Sequence, residues 1–370
     1  MRFELDAVQQ ALAAEVGQVY ESLGRDADPR KVMEHLGQER LLAVHYPIRY
    51  GGRGLPLAAH AAVCERLGEL QLPDVAHLIS VQAVGCTILT YGTDAQKDRY
   101  LPPIAGGLLF ASILLSETGA GSDLAGIETT AVADNSGWRI SGTKAWSLHT
   151  DWSGLALCSA RTRHGGHRQD GISLFLIDLA TPGVRLFPVA RASGTPYFTV
   201  TLDGVHVGED ALLGRLHHGW ALLPAAIGFE RTGFDYLTRA TRWLQAAETM
   251  LRRLTAAEQA ELAAGLVGCR SKIESARALA YHAVNSAQGL DMDEIAMAYA
   301  KLACGRAAQA VARWAGREFS AALAAEPQAP EAAVLRVAVD EAPEFTISGG
   351  AQELQLDLIA SEFPIGAAVR

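Results

Sequence analysis

The sequence predicts an α+β chain of several domains, because the spacing of its apolar residues changes twice along the chain. Residues 1–109 and 219–370 carry apolar residues at helical spacing, whereas residues 110–218 contain short alternating or β-branched runs separated by turn residues. With 370 residues, 49% of them hydrophobic, the chain has enough apolar material for two or three packed cores. We expect an N-terminal helical domain, an all-β middle domain and a C-terminal helical bundle.

The N-terminal region is predicted to consist of amphipathic and buried helices. The first helix has apolar residues at helical spacing, namely Leu5, Val8, Leu12, Val16 and Val19. Further helices are predicted over 32–42, 58–70 and 76–89. Thr93 is expected to cap the next helix with Gln96 as its capping-box partner. Pro102 and Pro103 are expected to end that helix.

The middle and C-terminal regions differ in the spacing of their apolar residues. The runs TTAVAD, GWRISGTK, LALCSART, GISLFLID, GVRLFPVA and YFTVTLDGVHVG are typical of strands, and turn residues such as Pro182-Gly183 separate them. Helices are predicted over 220–251, 256–287, 292–323 and 353–359, with a break at the proline-containing segment AAEPQAPEA.

Composition excludes several classes of protein. The net charge is −9 without a basic block, so nucleic acid is not an expected partner. We expect no membrane span, because no apolar run approaches ~20 residues, and the acidic start does not resemble a signal peptide. The cysteines have no CxxC spacing and are expected to be reduced core residues of a cytoplasmic protein: Cys64, Cys86, Cys158, Cys269 and Cys304. The segment HGGHRQDG is expected to be a solvated loop, and no metal site is predicted.

The stretch LLSETGAGSDLAGIETTAVADNSGWRISGTKAW, residues 114–146, is the strongest candidate for a ligand site. Gly119 and Gly121 lack Cβ atoms, so a ligand or a second backbone can approach closely. Trp146 offers a flat aromatic face. Hydroxyl groups beside the loop backbone belong to Ser116, Thr118 and Ser122. On spacing alone, a polar hairpin with a core tryptophan is favoured over a ligand site, since short glycine-rich motifs are weak evidence.

The motifs SETGAGSDLAG and GWRISGTKAW resemble the signature of acyl-CoA dehydrogenases. The segments RYGGRGLP and YGTDAQKDRYLPP upstream, and GISLFLIDLATPGVR, ALLGRLHHGW and GFER downstream, follow in family order. The resemblance covers residues 33–239. It implies a β-barrel-like middle domain, a C-terminal four-helix bundle, FAD as cofactor and an acyl-thioester substrate, with CoA or an acyl carrier protein as carrier. It also implies an electron-acceptor flavoprotein as partner and a role in lipid metabolism.

The resemblance implies a glutamate as the base that removes the α proton. Many members carry it before a Gly-Thr turn near the C-terminus, where this sequence has Gly349. A group resembling isovaleryl-CoA and steroid side-chain dehydrogenases instead carries it in a Glu-Arg pair on the first long bundle helix. The matching pair is Glu230-Arg231, whose apolar neighbours would raise the pKa of the glutamate. A helix carboxylate paired with a basic residue remains the alternative.

The resemblance also assigns residues to cofactor and substrate. Those implied to bind FAD are Leu115, Ser116, Glu117, Gly121, Ser122, Trp146, Leu148, Ala351 and Glu353. Those implied on the substrate side are Ser122, Arg231 and Gly350, with the Gly349 N–H as a donor to the thioester oxygen. Leu148 departs from the family, which usually has threonine there bonding flavin N5.

Two family segments that contact the adenine half of FAD are missing. The stretches LRRLTAAEQAELAAG and AGREFSAALAAEPQAP stand near the places of Arg-x-x-Phe-Gly and Gln-x-x-Gly-Gly. Either a different partner chain supplies those contacts, or FAD binds through other residues, or flavin binding is lost. We therefore expect a dehydrogenase that works as a homodimer or with a second dehydrogenase-like chain. The alternatives are a flavin-dependent monooxygenase and a non-catalytic subunit of a heteromeric enzyme.

Overall fold

A computed structural model describes residues 5–193, 195–287, 293–325 and 328–363, and of residues 224–226, 229 and 230 the backbone alone. Helices occupy both ends of the chain and one sheet occupies its middle. This confirms the predicted fold class. The domain boundaries at 109/110 and 218/219 remain a proposal; they fall in the connections before the first strand and after the last.

The N-terminal helices are α1 (Ala7–Leu23), α2 (Pro29–Gln38), α3 (Leu57–Glu69), α4 (Asp74–His77), a π-helix (Leu78–Gly85), α5 (Cys86–Tyr91) and α6 (Asp94–Ala105). A 3₁₀ turn spans Ile48–Tyr50. The Thr93–Gln96 capping box is present at the start of α6, as predicted. Of the apolar residues at helical spacing on α1, Leu12 and Val16 are buried, whereas the Val8 side chain is 49% exposed.

The two prolines near the end of α6 do not end it. Pro102 and Pro103 lie inside the helix, which continues to Ala105. Proline removes the N–H that would bond the carbonyl four residues earlier, here those of Asp98 and Arg99. Both of these residues are exposed, so water can satisfy their carbonyls, and the helix tolerates the prolines.

The middle region forms one eight-stranded sheet with strand order β6-β7-β3-β2-β4-β5-β8, and β1 pairs in parallel with β4. The strands are β1 (Ala111–Leu114), β2 (Thr130–Asp134), β3 (Gly137–Leu148), β4 (Leu155–Arg161), β5 (Ile172–Asp178), β6 (Val184–Val189), β7 (Tyr197–Gly208) and β8 (Leu212–Leu213). The antiparallel pairing of β3 with β7 shifts register between Lys144 and Ser147. This bulge lies at the end of the candidate site.

The C-terminal helices are α7 (Leu223–Gly228), α8 (Phe234–Leu251), α9 (Ala256–Asn285), α10 (Glu294–Glu318), α11 (Ser320–Ala325), α12 (Pro330–Glu341) and α13 (Gln352–Ser361). Short 3₁₀ segments span Gly219–Leu222, Phe229–Thr232 and Ala342–Thr346. The helix predicted over 292–323 is divided between α10 and α11, its first residue lying outside the described residues. Helix α12 was not predicted from the sequence.

The prediction of a single helix over 220–251 is wrong, because the left-handed backbone of Gly233 interrupts it. This residue has φ 71°, and α8 begins only after it. A Cβ on Gly233 would lie 2.8 Å from the Cβ of Cys304 on α10. The close approach of α10 therefore requires a glycine and separates the Glu230-Arg231 pair from the long helix.

The largest core cluster continues from the N-terminal helices into the bundle, where Trp243, Tyr281 and Phe234 are almost completely buried. All five cysteines are free and buried, as predicted. Among the described residues, no helix combines the length and the apolar character that crossing a membrane would require.

Candidate active site

The inner face of the glycine-rich loop is fixed by a buried ion pair. Lys144 on β3 is fully buried; its Nζ donates to the Leu115 carbonyl at 3.1 Å and pairs with Glu117 Oε1 at 2.8 Å. The Glu117 carboxylate also accepts from the backbone N–H groups of Glu128 and Thr129 at 2.7 and 3.0 Å. Burial alone would raise the pKa of Glu117, but the ammonium and these hydrogen bonds hold it below its ordinary value. The Glu117 side chain thus shapes the loop from within.

The outer face of the same loop is open. A Cβ built on Gly119 or Gly121 would meet no heavy atom within 4 Å, and Ser122 beside them is exposed. Ser116 is half-buried, and its carbonyl accepts from the Ala145 N–H at 2.9 Å, which fixes the loop against β3. The glycines therefore leave room for a ligand, and no second backbone of the described chain occupies that room.

Trp146 is presented outward by the β3 bulge. It has φ 64°, and its side chain is 54% exposed. The alternative of a core tryptophan is therefore wrong. Its indole meets the Tyr197 ring edge-on at a centroid distance of 6.1 Å. A large aromatic residue seldom adopts this backbone conformation, so the bulge holds a flat apolar surface where a ligand can reach it.

A cleft of about 440 Å³ lies beside Trp146, where the sheet, the N-terminal helices and the bundle meet. Tyr197 and Leu148 line it from the sheet, and Asp74, Tyr236, Arg239, Glu341, Glu344 and Ser348 are among the residues that line it from the helices. Tyr197 therefore contacts Trp146 and also lines the cleft.

Several charged groups in this cleft are paired with one another. The Glu344 carboxylate accepts hydrogen bonds from Arg191 and from the Tyr197 hydroxyl. Arg239 contacts Glu341 at 3.1 Å and Asp74 at 3.4 Å. Burial would lower the pKa of Arg239, but the two carboxylates raise it above its ordinary value. These pairs join the bundle to the N-terminal helices and the sheet.

A loop of the bundle reaches the same cleft at Ser348. Gly349 and Gly350 both have left-handed backbones, with φ 63° and 94°. Lys301 on α10 is only 3% exposed, and its Nζ donates to the Ser348 carbonyl at 2.6 Å and to the Gly350 carbonyl. The Tyr236 hydroxyl donates to the Ser348 carbonyl at 3.1 Å. Lys301 thus grips the loop on both sides of Gly349.

The other predicted site residues are placed as follows. A guanidinium nitrogen of Arg231 lies 3.9 Å from the position of a Cβ on Gly350, so these two residues are neighbours. Ala351 is the N-cap of α13, and Glu353 is exposed in its first turn. The Glu230 side chain lies outside the described residues; its backbone is in the 3₁₀ turn Phe229–Thr232 and not on the first long helix as predicted.

The residues that hold the site in shape were not predicted from the sequence. Lys144 and Lys301 each clamp a loop from within the core. The burial of Lys301 could have been predicted, since it is a lone lysine in the apolar stretch EIAMAYAKLACG. Arg239 and Glu344 have no comparable local signal, because their partners are distant in sequence.

Comparisons with known proteins agree along the whole chain. Domain models described as acyl-CoA dehydrogenase N-terminal, middle and C-terminal domains match residues 4–108, 112–203 and 217–363. Acyl-CoA dehydrogenase IpdE1 of Mycobacterium tuberculosis is 34% identical over 199 residues, which is 54% of this chain and 52% of the relative. The chain spans about half the length of the curated relatives it matches.

Two solved structures share the fold. The Tcur3481-Tcur3483 steroid ACAD superposes with a TM-score of 0.87 at 23% identity and covers 100% of both chains. The ChsE4-ChsE5 complex from Mycobacterium tuberculosis gives a TM-score of 0.81 at 22% identity and covers 97% of this chain and 98% of the other. At these identities the likeness shows the fold alone.

Proposed function

Because the chain belongs to the acyl-CoA dehydrogenase family, whose members are FAD flavoproteins, we propose that it carries out flavin-dependent α,β-dehydrogenation of an acyl thioester. The family resemblance inferred from the loop motifs is confirmed. One arrangement carries the proposal. The open glycine-rich loop and the exposed indole of Trp146 lie on one side of the cleft, and the loop that contains Gly349 and Gly350 reaches the cleft from the bundle.

The residues on the sheet side fit a flavin ring. A Cβ on Gly121 would contact no other atom of the protein, so the space over this glycine is open. A ligand can therefore approach the loop backbone there. The exposed face of Trp146 can pack against a flat heterocycle. Residues proposed to hold FAD are Leu115, Ser116, Glu117, Gly121, Ser122, Trp146, Leu148, Ala351 and Glu353, with Glu117 contributing through its backbone. Bound FAD would supply the hydride acceptor.

The chain's own groups would bind and orient the thioester. The Gly349 N–H would donate to the thioester oxygen as negative charge develops there. Lys301 fixes this N–H by holding the carbonyls on either side of it. Arg231 and Gly350, which are neighbours, and Ser122 would form the substrate side, and Trp146 would exclude water from the reacting carbons.

We propose that Glu230 removes the α proton. Glu230 lies in the Glu-Arg pair that the family resemblance assigns to the base, and its neighbours in the sequence are apolar, a setting that raises the pKa of a glutamate. Glu230→Gln should retain flavin but lose turnover by ~10²-fold or more, measured by anaerobic reduction with thioesters. The matched control is Glu209→Gln, in another short 3₁₀ turn, which should turn over normally. Near-normal turnover by Glu230→Gln would remove this residue from the mechanism.

We also propose a second dehydrogenase-like chain as partner, with electrons passing to an acceptor flavoprotein. The sequence lacks both family segments for the adenine half of FAD, so a second chain could supply those contacts. One structural relative, the ChsE4-ChsE5 complex, is itself made of two different chains. Mass determination of the chain with and without a co-expressed relative tests this; a stable yellow homodimer that works alone would contradict it.

Two alternative functions make different predictions. A non-catalytic subunit is suggested by the missing segments for the adenine half of FAD; it would be colourless when purified alone and would raise the activity of its partner. A monooxygenase is compatible with Leu148, which lines the cleft at the position where the family usually has threonine. Oxygen consumption with a hydroxylated product would identify the second. The substrate panel should include CoA and acyl-carrier-protein thioesters of straight, branched and steroid-like acyl groups, since the structural relative Tcur3481-Tcur3483 is a steroid ACAD.

A further inference from the structure

The N-terminal helices enclose a cluster of metal-ligand side chains away from the cleft. His60 and Cys64 lie four residues apart on α3 and therefore share one face of the helix. His77 ends α4. One ring nitrogen of each histidine and the Cys64 Sγ lie within 4.8 Å of one another. The exposed fractions are 0% for both histidines and 6% for Cys64, so the cluster is closed to solvent.

The second ring nitrogen of His77 is bonded as in a metal-ligating histidine. Nε2 donates to the Leu42 carbonyl at 2.7 Å, because a carbonyl oxygen can only accept. The lone pair is therefore on Nδ1, which is buried and has no hydrogen-bond partner among the described residues. Ligating histidines usually donate their other N–H to a backbone carbonyl or a carboxylate, and this bond fixes the ring for the metal. A buried lone pair without a partner is costly unless something binds it.

The surroundings of the three residues are also rich in soft ligands. His45 packs edge-on against His60 with ring centroids 4.5 Å apart, and its Nε2 lies 3.3 Å from the Cys86 Sγ. The π-helix Leu78–Gly85 begins directly after His77. Such π segments are rare and occur often at functional sites. Apolar packing alone does not require three imidazoles and two thiols at one point.

We propose that His60, Cys64 and His77 bind one thiophilic transition-metal ion, Cu(I) or Zn²⁺, inside the N-terminal helical domain. Two imidazoles and one thiolate form a ligand set suited to both ions. Bonds of about 2.0–2.3 Å require ligand atoms roughly 3.3–3.8 Å apart, so the side chains close in by about 1 Å on binding. The metal replaces the thiol proton of Cys64, and this proton leaves to solvent.

The metal would act on the structure. It would join α3 to α4, and α4 also carries Asp74, whose carboxylate contacts Arg239 in the cleft. The site thus stabilises the helix on which one wall of the cleft depends. This inference does not depend on the proposed dehydrogenase activity, because none of its ligands lines the cleft.

The test uses the full chain produced in media supplemented separately with copper, zinc or cobalt. Inductively coupled plasma mass spectrometry should give about one metal ion per chain. Comparison of the copper and zinc samples should show which of the two ions the chain retains. The cobalt-loaded wild-type chain should show a thiolate-to-cobalt charge-transfer band. Removal of the metal should lower Tm by about 4 °C or more.

Variants locate the ion. Cys64→Ser should lose the metal and the cobalt band, whereas Cys158→Ser, which changes an equally buried cysteine in the sheet, should retain both. The wild-type spectrum decides the matter even where Cys64→Ser fails to fold. A wild-type chain without stoichiometric metal from any of the three media, and without the cobalt band, would overturn the proposal.

Discussion

Each of the two loops that meet at the cleft is held by the ammonium group of a buried lysine. Lys144 grips the sheet-side loop and pairs with the Glu117 carboxylate, and both groups are nearly buried. Lys301 grips the bundle-side loop through the carbonyls of Ser348 and Gly350. A buried carboxylate that loses its cation is left charged and unpaired, which is costly. On the sheet side a carboxylate therefore depends on its lysine, and on the bundle side two carbonyls depend on theirs.

The loops also differ in what surrounds them. Over the sheet-side loop the space at Gly119 and Gly121 is open, and Trp146 is exposed. Around the bundle-side loop, Arg191, Glu344 and Tyr197 bond one another across the cleft. The sheet-side half is thus open, whereas internal ion pairs line the cleft in the bundle-side half. A ligand that binds both halves must fit beside these ion pairs or displace them.

The largest effect is expected at the sheet-side clamp. Lys144→Met leaves the Glu117 carboxylate buried without its cation and should lower the free energy of unfolding by ~3–5 kcal/mol, measured by urea denaturation. The control is Arg168→Met, which breaks the pair with Asp123; both side chains are more than half exposed, and the loss should stay below ~1 kcal/mol. Equal losses in the two variants would show that Lys144 is not a structural clamp.

A smaller effect is expected at the bundle-side clamp. Lys301→Met leaves two carbonyls short of a donor and should cost ~1–3 kcal/mol. Turnover should fall more than substrate affinity, because the released loop no longer fixes the Gly349 N–H for the transition state. Lys272→Met changes an exposed lysine on α9 and should leave stability and turnover unchanged. An unchanged kcat in Lys301→Met would show that the position of the Gly349 loop does not affect the chemical step.

The smallest effect on stability is expected on the open face. Gly121→Ala places a Cβ in empty space and should change the free energy of unfolding by less than ~0.5 kcal/mol. Flavin content after purification should nevertheless fall, because the methyl group occupies the room assigned to the ring. Gly268→Ala on α9 also meets open space and should retain full flavin content. Unchanged flavin content in Gly121→Ala would show that the cofactor does not bind over this loop.

The sequence predicted those features that local chemistry decides. The Thr93–Gln96 cap is one, because both partners lie within a single helical turn. The fold class is another, because the apolar period changes over long stretches. The glycine-rich loop was identified by resemblance, and its open face was not predictable from spacing alone.

The rest depended on contacts between distant residues. The exposure of Trp146 follows from a bulge in the pairing of β3 with β7, some fifty residues away along the chain. The break before α8 follows from the approach of Cys304 to Gly233. The cleft's ion pairs join Arg239 to Asp74, which are 165 residues apart. No local pattern records such partners.

The central claim is that a bound flavin faces a thioester in this cleft. The visible spectrum of the purified chain, alone and co-purified with a dehydrogenase-like partner, tests it most directly when each sample is then mixed anaerobically with the thioester panel. The account predicts a yellow sample whose flavin absorbance is bleached by at least one thioester, and bleaching slower by ~10²-fold or more in Glu230→Gln. A flavin-free sample in both preparations, or a yellow one that no thioester bleaches, would contradict it.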